Sequence, residues 1–370
     1  MLIGVPKEIK VREYRVGLVP ANVRELVAHG HEVIVETGAG TGIGADDAQY
    51  QAAGAVIADS ALEIFDSAEL IVKIKEPQAA ERKWLKPGQI LFTYLHLAPD
   101  LEQTRDLLDS GATCIAYETV TADDGSLPLL APMSEVAGRL SVQAGAYFLE
   151  KAHGGSGILL GGVPGVAPAQ VTVIGGGVVG THAIDVALGM GAAVTVLDRN
   201  PVNLRRLRNQ FGQRLNTIYS TAEAIEHYCL LADLVVGAVL VTGATAPKLI
   251  THDIVRRMKP GSVIVDVAID QGGCCESSRP TTHDAPVFVV DGVIHYCVAN
   301  MPGSVPRTST YALNNATLPY VLALANKGMQ ALREDKHLMR GLNVHRGKIT
   351  NQAVAAAHGL AYCEPAYAIG

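Results

Sequence analysis

VTVIGGGVVGTHAIDVALGMGAAVTVLD, residues 171–198, is the stretch whose reading decides the fold. The apolar run Val171–Ile174 leads straight into Gly175-Gly-Gly177-Val-Val-Gly180, a G-x-G-x-x-G spacing. The next segment has helical period and stops at a glycine, and a second strand-like run, AVTVLD, closes on Asp198. Each glycine has its own reason. The first serves the tight turn, the second lets a pyrophosphate approach the backbone, and the third lets helix touch strand. The helix start then offers unpaired N–H groups and a partial positive charge to phosphates. A bare glycine fingerprint is weak in a chain with 38 glycines, but here strand, helix and a following acid all accompany it. A carboxylate at Asp198 accepts ribose hydroxyls and repels a 2′-phosphate, which favours NAD over NADP and softens only if Arg199 intervenes. A flavin is the weaker alternative.

Outward from this stretch the same rhythm repeats. Upstream, short β-branched runs at Leu2–Val5, Glu32–Glu36, Leu70–Lys75, Ile90–Leu95 and Thr113–Glu118 alternate with helical patterns. One helix begins at Pro20, favourable at a first helical position, and stops at Gly30; another runs from about Asp100 to Ser110. Downstream, runs at 193–198, 217–219, 234–240, 262–270 and 287–290 continue the second series. The runs 234–240 and 262–268 are almost continuously apolar, as strands covered by helices on both faces are. Long helices are expected at about Ser134–Ala152 and at Pro306–Lys327, with the apolar Gly/Pro stretch GGSGILLGGVPGVAP after the first. The fold class is therefore α/β: two doubly wound, Rossmann-like parallel-sheet domains joined by long helices.

Composition narrows the function classes. Across 370 residues, 48% are hydrophobic and 18% charged, a globular balance. A net charge of −6 and the lack of a long Lys/Arg block argue against a nucleic-acid partner. No apolar run is long enough for a membrane span, and the charged N-terminus does not read as a signal peptide. The six cysteines form no C-x-x-C pair and read as reduced thiols of a cytoplasmic protein.

Ligand groups in doubly wound sheets gather at the carboxyl ends of strands. Lys75, His96 and Asp270 close such runs, and Arg15 lies in the loop after the first. Singly, each has a bland reading as a solvated or structural group; Asp270, ending a buried run, needs a partner or a purpose. Together they suit a small keto acid. Arg grips its carboxylate in a fork, a cation polarises its carbonyl, and His moves a proton near neutral pH. The pair Cys274-Cys275 is a rival nucleophile, but no base–orienter pattern accompanies it.

Long stretches extend the case beyond single residues: MLIGVPKEIK with E-x-R-V at 13–16, IVKIKEP at 71–77, LFTYLHLA at 91–98, PMSEVAGRLSVQAGA at 132–146, GGVPGVAPAQVTVIGGGVVG at 161–180, DLVVGAVLV at 233–241, VDVAIDQGGC at 265–274 and CVANMPGSVPRTSTYALNNAT at 297–317. In these the chain resembles the alanine dehydrogenase/pyridine nucleotide transhydrogenase family over essentially its whole length. The resemblance implies NAD-dependent, reversible oxidative deamination of L-alanine to pyruvate and ammonium, in a cytoplasmic homohexamer. It implies a substrate domain of residues 1–130 plus 306–370 around an NAD-binding domain of 131–305. Arg15 and Lys75 would hold the substrate, and His96 and Asp270 would be the catalytic pair. NAD would be contacted by Ser134, Gly175, Gly177, Val178, Gly180, Asp198, Ser220, Val239, Leu240, Val267, Ala268, Ile269, Asp270, Arg279, Val298, Ala299, Asn300 and Met301.

Two departures from the family pattern matter. Asn203 stands where many relatives carry a base near the adenosine ribose, so Arg199 or Arg205 would have to substitute. Ala323 and Lys327 stand where some relatives hold a divalent ion, so no metal is expected. The soluble part of a transhydrogenase, a lysine-forming saccharopine dehydrogenase and a catalytically silent NAD-binding protein remain the alternatives. Residues for the substrate and for the nicotinamide fall in different domains, so closure about Pro132, Gly303 and Pro306 is expected.

Overall fold

The computed structural model describes residues 1–239 and 246–370. It divides into two compact units, Met1–Met133 with Val305–Gly370, and Ser134–Ser304.

In the first unit the strands are β1 (Leu2–Val5), β2 (Glu32–Glu36), β3 (Val56–Ala58), β4 (Leu70–Val72), β5 (Ile90–Thr93) and β6 (Thr113–Ala116). In the second they are β7 (Gln170–Ile174), β8 (Ala193–Asp198), β9 (Leu215–Tyr219), β10 (Leu234–Gly237), β11 (Val263–Asp266), β12 (Val287–Val290) and β13 (Val293–Tyr296). The chain then adds β14 (Leu342–His345) and β15 (Lys348–Ile349) to the first unit.

The first sheet runs β15-β14-β6-β5-β4-β1-β2-β3, and the second β12-β13-β11-β10-β7-β8-β9. Pairing is parallel except at one edge of each sheet, where β14 and β15, and β12 on β13, run antiparallel. Strand order reverses beside β1 in one sheet and beside β7 in the other, which is where a doubly wound sheet opens its ligand crevice. β4, β5, β6, β10 and β11 are buried at every position, the pattern of strands covered on both faces. The helix Pro306–Lys327 follows its expected bounds, and its buried Asn314 ties it to the loop after β1.

Several strands end earlier than the apolar runs suggest. At Ile74 and Lys75 the backbone N–H groups donate to Glu8 Oε1 at 2.6 and 3.3 Å, so β4 stops at Val72. At Leu95 and His96 they donate to Glu118, so β5 stops at Thr93. β11 stops at Asp266, and Val267–Gln271 turns as a 3-10 helix. At β4 and β5 carboxylates have replaced the neighbouring strand as acceptor, whereas β11 ends where the chain turns into the 3-10 helix. Asp270 therefore does not end a buried strand, as the sequence suggests. That residue is Asp266, which is fully buried, whereas Asp270 is exposed on the turn beyond.

Four short strands, β3, β13, β14 and β15, escaped the periodicity, and β13 and β15 are the return arms of hairpins. Asp291-Gly292 between β12 and β13, and Arg346-Gly347 between β14 and β15, all have positive φ. That is the backbone a two-residue turn with both central residues left-handed requires.

Candidate active site

In the first unit, Arg15, Lys75, His96 and Glu118 follow the carboxyl ends of β1, β4, β5 and β6, with β4 and β1 flanking the reversal of strand order. Arg15 is buried, and its guanidinium forks onto Glu13: Nε donates to Oε1 at 2.6 Å and Nη2 to Oε2 at 2.5 Å. Burial lowers the Arg15 pKa, but the Glu13 hydrogen bonds and charge more than reverse this, so the group is held charged. The Nη1 side faces Met133 Sδ at 3.1 Å. A fork expected to grip a ligand thus has its Nε edge already committed within the chain.

Of the two lysines in IVKIK, Lys73 points into the core, between Glu8 and Glu81 at 3.0 and 2.8 Å. Lys75 is half-buried at the edge, and its charge helps hold the neighbouring Glu76 carboxyl low against the opposing effect of burial.

His96 is exposed and sits in the left-handed region with φ +50°. For a residue with a Cβ this conformation is strained and must be imposed by its surroundings. Glu118 imposes it. Its Oε1 accepts the His96 N–H at 2.6 Å and the Leu95 N–H at 3.2 Å, and lies 3.8 Å from His96 Nδ1. The imidazole also stacks parallel to Tyr94, with ring centroids 5.7 Å apart. Tyr94 is in turn fixed by its hydroxyl, which donates to Leu129 O at 2.5 Å. The backbone at His96 is thus fixed by Glu118 and its ring by stacking on Tyr94. Sequence pattern signals neither acid's part: Glu13 lies two residues from Arg15 within E-x-R-V, while Glu118 reaches His96 from 22 residues away.

In the second unit the glycine turn fulfils its three reasons. Gly175 has φ +105°, and a Cβ there would meet Ala238 O at 2.6 Å. Gly180 is tighter still, since its Cβ would lie 1.8 Å from Gly175 O. Of the three, Gly177 alone opens onto empty space, and it caps the helix Val178–Gly189. These are the features of a pyrophosphate cradle, so the residues fit a dinucleotide. Gly180→Ala should accordingly weaken NADH binding by about tenfold or more, read by quenching of protein fluorescence, and lower the melting temperature as the turn shifts to make room. Unchanged affinity would show that the turn tolerates a side chain.

Asp198 Oδ2 accepts the Gly176 N–H at 2.6 Å and Oδ1 accepts that of Asn200 at 2.6 Å, so this acid pins the turn. Asn203 donates to the same Oδ2 at 3.4 Å. Neither Arg199 nor Arg205 reaches the turn by a recorded bond; Arg206 does, with Nη2 donating to Gly176 O at 2.8 Å and Thr181 Oγ1 at 3.0 Å. Ser220 is buried after β9, and Val239 is half-buried after β10, while Leu240 lies outside the described residues. Ala268, Ile269, Val298 and Met301 are buried, so these four can offer a ligand backbone rather than side chain. Arg279 lies over Phe288 at 4.5 Å, and Asn300 has φ +61°. Ser134 is half-buried on the helix Ala131–Phe148, which contains the boundary between the units.

Cys274 and Cys275 are unpaired and buried. Burial pushes both thiols up, and the Asp266 carboxylate adds to the effect at Cys274, which suits packing rather than nucleophilic attack. Among the described residues no three His, Cys, Asp or Glu side chains gather as a metal site. No helix among them is long and apolar enough to cross a membrane.

Two family profiles match in chain order: "Alanine dehydrogenase/PNT, N-terminal domain" over residues 4–137 and "Alanine dehydrogenase/PNT, C-terminal domain" over 141–352. The chain belongs to the alanine dehydrogenase/PNT family. Among its family relatives, an alanine dehydrogenase of Halomonas elongata is 63% identical over 371 residues, covering 100% of both chains. One of Mycolicibacterium smegmatis is 56% identical, covering 99% of each. A solved structure of an L-alanine dehydrogenase superposes with a TM-score of 0.95 at 53% identity, over 97% of this chain and 99% of that one. Both sheets and the long helices are therefore the alanine dehydrogenase/PNT fold.

Proposed function

We propose that this chain is an NAD-dependent L-alanine dehydrogenase, interconverting L-alanine and water with pyruvate and ammonium. The observation that carries this is identity of 63% and 56%, end to end, with two proteins named alanine dehydrogenase. We assign substrate binding to the first unit and NAD to the second. NAD, when bound, takes up the hydride from the alanine Cα.

The chain's own residues do the rest. Arg15, kept charged by Glu13, meets the substrate carboxylate. Lys75 holds the amino or carbonyl end, and the two together fix which face of Cα is presented. His96, oriented by Glu118, takes a proton from the water that adds to the imine carbon and returns one as ammonia leaves. Asp270 serves as the second proton-transfer group. In the second unit the glycine turn with Val178, Asp198 and Ser220, the segments 239–240, 267–270 and 298–301, and Ser134 and Arg279 hold the nucleotide. Pyruvate, with its methyl group, is the natural keto acid for a site of this kind. Family membership also supports a homohexamer, and the unpaired thiols and absence of a membrane-length helix among the described residues are compatible with a cytoplasmic location.

NADH absorbance with L-alanine against glycine, L-serine and L-glutamate tests the reading. L-Alanine should be turned over best and glutamate not at all, since one methylene separates small substrates by only ~1–3 kcal/mol but a long acidic chain has no place to go. No NADH from L-alanine would sink it. NAD should be preferred over NADP by roughly 10²-fold or more, because Asp198 opposes a 2′-phosphate. Asp198→Ala should narrow that ratio and also weaken NADH, since the Gly176 N–H loses its acceptor. Equal turnover with both nucleotides in the unmodified protein would overturn the assignment.

A further inference from the structure

Asp266 is a fully buried carboxylate whose recorded donors are all neutral, an expensive group to keep where Asn or Ser would fill the space. One oxygen, Oδ2, receives three hydrogen bonds: the Cys274 N–H at 2.9 Å, the Cys275 N–H at 3.2 Å and the Ser278 hydroxyl at 2.6 Å. The other, Oδ1, has no N–H or O–H partner among the described residues. The geometry is that of a knot. The chain leaves β11 at Asp266, makes the excursion 267–273 that carries Asp270, and returns onto the same carboxylate.

The return depends on two consecutive left-handed glycines, Gly272 at φ +89° and Gly273 at φ +79°. A Cβ on Gly273 would lie 2.7 Å from Oδ2, so the backbone passes against the carboxylate. Opposite Asp266 in register stands Gly237, where a Cβ would strike Cys274 Sγ at 2.4 Å. Ser278 in turn accepts from the Cys297 thiol at 3.6 Å, one residue before the segment 298–301. Sheet end, turn and return are thereby tied at a single oxygen.

We infer that Asp266 is a positioning residue for the reaction: its carboxylate closes the 267–273 excursion and so fixes where Asp270 stands. Ionised, it binds three converging donors more strongly than a neutral side chain does. This is the reason for retaining a buried charge there. The inference rests on the role given to Asp270 above, so the two must be tested apart.

Asp266→Asn keeps the shape but turns a charged acceptor into a neutral amide. It should lower kcat by ~10- to ~100-fold while leaving the KM for alanine within about threefold. Amide hydrogen exchange in peptides spanning 267–278 should accelerate, whereas exchange in the glycine turn at 175–180 should not. In an Asp270→Asn background the same substitution should add less than about threefold, because both act through one group. A wild-type kcat, effects that multiply, or unchanged exchange at 267–278 would each overturn the inference. If Asp266→Asn does not fold, Ser278→Ala removes one of the three donors, and it must show faster exchange and lower kcat in the same direction. Full activity in Asp270→Asn alone would instead remove the proposed role of Asp270, and the exchange data would still decide whether Asp266 holds the turn.

Discussion

His96→Ala should cost turnover about 10²–10⁴-fold while NADH binds nearly as it does to the unmodified protein. The split follows from the geometry. His96 belongs to the first unit, its backbone N–H held by Glu118 and its imidazole stacked on Tyr94, whereas the glycine turn and Asp198 belong to the second. Removing the ring takes away a proton carrier but leaves the nucleotide cradle intact. Asp270→Asn should behave similarly in kcat. Glu118→Gln provides the control on orientation, since its amide can still fill the space but pairs less strongly with two adjacent N–H groups. Stopped-flow and steady-state NADH absorbance, with NADH affinity measured separately by fluorescence, read all three. If His96→Ala keeps unmodified rates from mildly acidic to alkaline pH, the histidine is structural and the proton steps belong elsewhere.

How far the sequence carries is best seen at single residues. The G-x-G-x-x-G turn, Asp198 and the helix Pro306–Lys327 are written in local pattern, and they stand where that pattern puts them. What periodicity could not reveal is side chains competing for backbone. Glu8, Glu118 and Asp266 each capture N–H groups from another stretch of chain, ending a strand or closing a turn. These acceptors lie from eight to more than sixty residues from their donors, beyond any local window. Asp266 and Asp270 illustrate the consequence. Both are acids in one apolar run, and only the structure shows which is buried and which is exposed. Lys73 and Lys75 pose the same problem, because alternate residues in a strand-like run share a face until the strand stops.

Lys73→Met should destabilise the fold by ~3–5 kcal/mol, the usual cost of removing one partner from a buried ionic group. Lys73, Glu8 and Glu81 are all buried, and the ammonium donates to both carboxylates, at 3.0 and 2.8 Å. Burial pulls the Lys73 pKa down, but the two carboxylates more than restore it, and it stands above the ordinary lysine value. A pKa raised on folding means that the folded state holds the proton more tightly. The Lys73 contribution is therefore fully present below an ordinary lysine pKa of 10.5 and is lost only as pH climbs through the raised folded value, in strongly alkaline solution. Methionine fills the space but leaves two carboxylates facing each other without a cation. Glu8 is already held above the usual carboxylate range by burial, with Lys73 opposing that shift. Without Lys73 it should rise further, so the variant should regain stability as pH falls and the carboxylate takes up a proton. Urea unfolding at pH 8 and again near pH 5 measures both effects. Glu8→Gln added to Lys73→Met should recover part of the loss at pH 8, since it removes one of the stranded charges. Equal midpoints for Lys73→Met and the unmodified protein, or a deficit that does not shrink toward pH 5, would show that the buried charges are not what anchors the end of β4.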